Sequence, residues 1–167
     1  MIACARLGFL FPLILTAVAL GQSADITGWS NVRWGATMPV ARKSLNQLGA
    51  RECNRNTDAV CVAAAGQGLA IEKYNLNGVT FKVNLLFTAN NGLNKVILTT
   101  EDKRDAFEKI LAQLTSLYGK PGLQSEYDGV EELTHTTWTW MKTHGKVNLD
   151  SEEGSGVFTI TYEARLL

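Results

Sequence analysis

The chain is poor in cysteine and proline, has no surplus of either charge, and contains no apolar run long enough to cross a bilayer. Of 3 cysteines in 167 residues, Cys4 precedes an apolar stretch that reads as a leader, which leaves Cys53 and Cys61. Two cysteines cannot make a disulfide-dense miniature scaffold. Their spacing is not C-x-x-C, and His135 and His144 are too distant to complete zinc spacing, so redox-centre and zinc-site readings are disfavoured. Lys+Arg and Asp+Glu both total 16. A near-neutral chain without a basic stripe has no long-range field to gather nucleic acid, so no nucleic-acid partner is expected. The longest apolar run, Leu7 to Leu20, falls short of the roughly 20 residues that a spanning helix needs.

Catalytic motifs are missing too. There is no G-x-S-x-G elbow, and Gly66-Gln67-Gly68 lacks both the further glycine and the following helix of a phosphate loop. His135 and His144 fall in strand-edge or turn contexts and read as solvated. Glu101-Asp102 reads as a helix N-terminus, and Glu131-Glu132 and Glu152-Glu153 as solvated turns. The expectation is a non-enzyme with no catalytic, metal or cofactor-binding set.

What is present begins with a leader. Arg6 and the amino terminus form a short positive region, Leu7 to Leu20 the apolar core, and Ala19-Leu20-Gly21 the small-residue site. Cleavage before Gln22 makes residues 1–21 a signal peptide and 22–167 one α+β domain; cleavage after Ala19 or Ala24, or an uncleaved anchor, are the alternatives. The expected destination is the periplasm or the exterior, with no membrane span left after processing. In that oxidising setting Cys53 and Cys61 are most simply a disulfide closing a polar loop, worth roughly 2.5 kcal/mol in the chain-entropy picture.

Periodicity supplies the rest. Gln22 to Gly28 is polar and reads as loose. Thr37 as cap, Pro39 in the first turn, the Ala41/Leu45/Leu48 stripe and Gly49 predict a helix over about 38–48. Leu69–Tyr74 alternates weakly. Val79, Phe81, Val83, Leu85 and Phe87 alternate strictly and predict a half-buried antiparallel strand, turning at Asn90-Asn91-Gly92 into Leu93–Thr99. Thr99 or Thr100 caps a second helix carrying Phe107, Ile110, Leu111, Leu114, Leu117 and Tyr118, ended by Gly119 and Pro121. A polar stretch, Gln124–Glu132, precedes strands at about 136–142, 146–150 and 157–164. Each half thus has a helix, a polar loop and about three strands. This predicts a tandem α-β-β-β repeat, about 29–100 and 101–167, forming a single antiparallel sheet with two helices on one face.

The segment Val32-Arg33-Trp34-Gly35-Ala36-Thr37-Met38-Pro39-Val40-Ala41 resembles a turn-and-helix motif of exported helix-plus-sheet proteins. The tandem-repeat β-lactamase inhibitory proteins and the small lipoprotein of the β-barrel assembly machine look like this. Gly35, Thr37, Leu45, Leu48 and Gly49 match turn, cap and helix-end positions, while Ala36 and Met38 fall one place off. The resemblance implies an α-β-β-β unit, carried twice in the inhibitory proteins. The lipoprotein's lipid-attachment cysteine is missing, and no partner-binding residue carries over.

Trp138 and Trp140 share one face of their strand. Pointing outward they make a binding face; pointing inward they are core, and the threonines between them face solvent. The functional expectation is an exported non-catalytic module that binds another exported or envelope protein. The alternative is a small secreted hydrolase or ligand carrier, which requires an enclosed pocket lined by convergent polar groups. A purely structural envelope component is the third class.

Overall fold

A computed structural model describes residues 24–53, 68–90, 92–101, 104–128, 133–152 and 157–165. The expected leader therefore lies outside the described residues, as does Cys61. Chain order is β1 (Gly28–Trp29), β2 (Val32–Arg33), α1 (Met38–Ser44), a 3₁₀ turn (Asn46–Leu48), β3 (Arg51–Glu52), β4 (Gly68–Leu76), β5 (Val79–Phe87) and β6 (Leu93–Glu101). Then come α2 (Arg104–Tyr118), β7 (Gly122–Asp128), β8 (Leu133–Met141), β9 (Gly145–Glu152) and β10 (Val157–Ala164). The fold is α+β. One antiparallel sheet of 8 strands runs in the order β3-β4-β5-β6-β10-β9-β8-β7, and β1-β2 forms a separate hairpin.

Register explains the core. Cross-strand partners point to the same side of a sheet. One row runs Ile71–Val83–Leu98–Ile160–Leu149–Trp138 across six strands, and the next runs Leu69–Leu85–Val96–Tyr162–Val147–Trp140. Eleven of these twelve side chains are buried, and Trp138 packs against them. The alternation read at Val79–Phe87 is thus the core face of β5. The far end of that strand is buried on both sides, because Asn84 and Leu86 are buried as well.

The helices add to the same core. On α2, Ile110 and Leu114 are buried, and Phe107 meets Trp138 at 5.0 Å and Phe158 edge-on at 5.5 Å between ring centroids. Phe158 meets Phe81 at 5.8 Å, so four rings join α2 to both halves of the sheet. Leu117 is exposed. At roughly 100° per residue it falls near the rim of the apolar stripe. Ala41 on α1 and Leu45 just after it are buried in the same cluster.

The chain differs from its expected reading at several points. Thr37 is extended before α1 but makes no side-chain capping bond. It is instead a bridge partner of Gly92, while Leu93 N–H donates to Ala36 O. Thr99 and Thr100 do not cap α2: β6 runs through them, and Thr100 Oγ1 donates to Thr80 O at 2.6 Å. Two strands replace expected polar loop, β3 and β7. Each sits at a sheet edge, and β7 (Gly-Leu-Gln-Ser-Glu-Tyr-Asp) has no apolar alternation to announce it.

The N-terminal segment is anchored rather than loose. Ala24 N–H donates to Leu117 O near the end of α2 at 3.1 Å, and Ile26 is buried. A Cβ on Gly145 would stand 2.6 Å from Ile26 O, so only glycine permits that approach. The hairpin turns at Ser30-Asn31 with Ser30 at φ 54, and Trp34 Nε1 donates to Ile26 O at 2.7 Å.

Candidate functional site

Two places concentrate polar chemistry: the sheet face away from the core, and a cavity beneath the β1-β2 hairpin. The first follows from alternation, since every residue between core positions faces the other way. One row reads Lys82–Thr99–Thr159–Asp150–Thr137–Gln124. The next reads Asn84–Ile97–Thr161–Asn148–Thr139–Gly122. From Thr99 to Thr137, and from Ile97 to Thr139, these side chains are partly exposed. Thr137 Oγ1 donates to Asp150 Oδ1 at 2.7 Å and Thr139 Oγ1 to Asn148 Oδ1 at 3.1 Å. A third row carries Lys95–Glu163–Lys146, in which the central carboxylate pairs with both lysines. Burial draws the Glu163 carboxyl upward, but hydrogen bonds from Lys146 and Lys95 outweigh it and hold the group below the usual range.

Neither tryptophan belongs to this face. Trp140 is 2% exposed and donates its indole N–H to Gly119 O at 2.8 Å. Trp138 lies under Phe107 of α2. The inward orientation is the one adopted, because an indole buries far more area than a threonine methyl and its N–H finds a carbonyl. Trp138 and Trp140 therefore offer no solvent-facing docking patch, and the threonines beside them do face outward. The exposed apolar side chains on the outer face are Met141 and Val157, with no aromatic among the described residues.

The cavity is built from four separate parts of the chain. Tyr74 comes from β4, Tyr118 from the last residue of α2 and Tyr162 from β10, and residues 25–33 close over them. It measures about 390 Å³. Trp29 stacks on Tyr74 at 5.1 Å with a 58° tilt, fixing hairpin to sheet. Burial drives the Tyr162 hydroxyl far above the ordinary phenol range, and the neighbouring Tyr118 and Tyr74 add to it. Burial also raises Tyr118, partly offset by its hydrogen bond with Tyr162, and it raises Tyr74. All three phenols therefore stay neutral near pH 7 and act as uncharged donors and acceptors. Two charged residues reach the wall. Asp25 pairs with the His144 ring; that bond, against the opposing effect of burial, lowers the carboxyl, helped by the His144 and Ile26 backbone N–H groups. The Arg33 side chain is exposed, and its backbone carbonyl accepts from Ala36 N–H at 3.2 Å.

Sequence reasoning missed this cavity. Tyr74, Tyr118 and Tyr162 are far apart in the chain, and only the sheet order brings β4, β10 and the end of α2 together. The histidines lie at the surface: His135 Nε2 stands 3.9 Å from Asp150 Oδ1, and His144 holds Asp25. The Cys53–Cys61 pairing falls partly outside the described residues. Cys53 follows β3, and its N–H donates to Gly68 O at 3.1 Å, closing the root of the loop between them. A larger void of about 850 Å³ lies between the β4-β5 hairpin and the start of α2, but its charges, Lys73, Lys82 and Lys109 against Glu72 and Asp105, select no single ligand class. No family model, curated protein or solved structure matches this chain.

Proposed function

We propose that the chain is an exported, non-catalytic binding module that holds another exported or envelope protein on the sheet face opposite its core. The observation that carries this reading is the pair of rows across β6, β10, β9 and β8, polar but for Ile97, partly exposed and regular in register. The contact is polar, through threonine, asparagine and aspartate side chains, rather than aromatic.

The scaffold is read as a duplicated unit with both helices over one face. Each helix precedes four strands in the chain, and the last of each set, β6 and β10, pair at the centre of the sheet. Both helical segments end at a glycine with positive φ, Gly49 at 71° and Gly119 at 84°. Phe107 against Trp138 and Phe158, with Ala41 and Leu45 in the same cluster, supports placing both helices on the core side. The leader, residues 1–21, supplies the route of export.

The test is a comparison of captures from the native exported fraction. Wild type is set against Thr161→Arg/Asn148→Arg, which changes two outward neighbours on β10 and β9. The expected result is a partner retained by wild type and lost by the variant, at unchanged melting temperature. Identical captures by the two proteins, or a blank from wild type, count against the reading. A second reading, carriage of a small ligand, is favoured by one observation: the half-open cavity lined by Tyr74, Tyr118 and Tyr162.

A further inference from the structure

The two edges of the eight-stranded sheet differ, and the difference does not depend on the docking face. A sheet edge presents unpaired N–H and C=O groups, which folds blunt with short strands, bulges, charge or proline. At one edge, β3 is 2 residues long and covers Ala70 and Leu69 of β4. Beyond it the pairing of β4 shifts register between Ile71 and Tyr74, where Glu72 and Lys73 are exposed. Arg51 pairs with Glu72, and Arg42 of α1 pairs with Glu52. The other edge is β7, which is 7 residues long and keeps unbroken register with β8. It contains no proline and no lysine. Among the described residues no strand lies on its far side. Gly122, Leu123, Gln124 and Ser125 are exposed. Leu123 is the cross-strand partner of Trp138 and so stands on the core side. It is nonetheless 64% exposed, the highest value among the large apolar side chains described.

We propose that β7 pairs with β7 of a second copy of this chain, antiparallel about a two-fold axis at Ser125, joining two sheets into one. The strand is complementary to itself in that register. Leu123 is placed opposite Tyr127, Gln124 opposite Glu126, and Gly122 opposite Asp128. Neither acid meets an acid, and like charges directly opposite are what oppose strand pairing. An axis at Glu126 would set acid on acid, and one at Leu123 or Gln124 would engage fewer of the strand's residues. An axis midway between residues would set core-side positions against outer ones. With the axis at a residue each side chain keeps its face, so the polar rows of both copies lie on one side. The blunted β3 edge offers no comparable strand, so pairing closes at two copies. A seam of one strand per copy is smaller than a standard stable interface, so the dimer dissociates on dilution.

The experiment is sedimentation equilibrium of the exported protein, leader removed, from about 10 µM to about 1 mM, where weak interfaces associate. The expected mass rises with concentration and levels at twice the monomer. Leu123→Lys puts a charge on the bare core-side position and is expected to weaken association about 10-fold or more. Leu123 is exposed, so this variant keeps the wild-type melting temperature at low concentration, and that is checked first. Cysteine trapping reads the register. Ser125→Cys stands opposite itself across the axis and is expected to form a disulfide-linked dimer under mild oxidation. Gln124→Cys stands diagonal to its own copy, beyond disulfide reach, and is expected to stay at the wild-type level. Thr161→Arg/Asn148→Arg, on the outer face, is expected to leave association unchanged, which separates this contact from the partner-binding one. Monomer mass at every concentration overturns the proposal and leaves the edge to a strand of another protein. So does a dimer that Leu123→Lys fails to weaken, growth past two copies, or equal trapping at Ser125→Cys and Gln124→Cys.

Discussion

Ser30 is the clearest case of a single residue held against its own preference. At φ 54 it occupies a region that costs an L-residue roughly 1–2 kcal/mol and glycine little. Ser30→Gly is therefore expected to raise stability by about 0.5–1 kcal/mol in urea unfolding. The opposite change is unfavourable two positions earlier, where a Cβ on Gly28 would stand 2.1 Å from Val32 O. The acids give a second residue-level expectation. In the folded chain Asp25 and Glu163 both titrate below their ordinary values, Asp25 through the His144 bond and Glu163 through its two lysines against the opposing effect of burial. Their contribution is present above the unfolded carboxylate range, about pH 4, and disappears as pH falls through the lower folded values. Melting temperatures of Asp25→Asn and Glu163→Gln should lie below wild type at pH 7 and converge with it as the pH falls below the ordinary carboxylate range. A gap that persists into acid contradicts the assigned cause.

Among the elements, α2 does most to order the core. Phe107 touches Trp138 from β8 and Phe158 from β10, so Phe107→Ala is expected to cost about 3–5 kcal/mol and to expose the Trp138 indole to fluorescence quenchers. Thr37→Ala at the start of α1 is expected to cost less than about 0.5 kcal/mol, below the usual price of a lost cap, because Thr37 makes no capping bond. Elements were legible from sequence where one face is dry and the other wet. The first half of Val79–Phe87 and the Phe107–Tyr118 stripe showed their periods because each lies half in the core, whereas Val83–Phe87 is buried on both sides. β3 and β7 did not, since an edge strand held by one neighbour needs no apolar alternation to be stable. The Trp138/Trp140 orientation was undecidable from spacing: two residues apart they share a side, and only packing against Phe107 chooses which. The tyrosine cavity was illegible for a different reason, as its members meet only through the central β6-β10 pairing and the fold-back of residues 24–34.

At the scale of the whole molecule, the sheet separates two jobs. Its inner side joins both halves through the Phe81–Phe158–Phe107–Trp138 chain of rings. Its outer side is a lattice of threonine, asparagine and charged residues whose hydrogen bonds run across strands, which keeps it regular without covering it. The duplicated-unit reading gives the β6-β10 seam a further meaning, as the place where two equivalent last strands meet. Cys53, the described member of the proposed Cys53–Cys61 pair, follows β3 at one edge of the sheet. Intact mass of the exported protein should show loss of residues 1–21 and of two further hydrogens, and reduction should lower stability by roughly 2.5 kcal/mol. Two free thiols in the exported protein would remove that pairing.

The most direct measurement is native-state thiol labelling at neighbouring positions on β10 and β9, read peptide by peptide by mass spectrometry. Thr161→Cys and Asn148→Cys, facing outward, should react within minutes; Ile160→Cys and Leu149→Cys, their inward neighbours, should react only on global unfolding. Protection of all four sites would mean that the outer face is covered, and there would be no open surface for a partner.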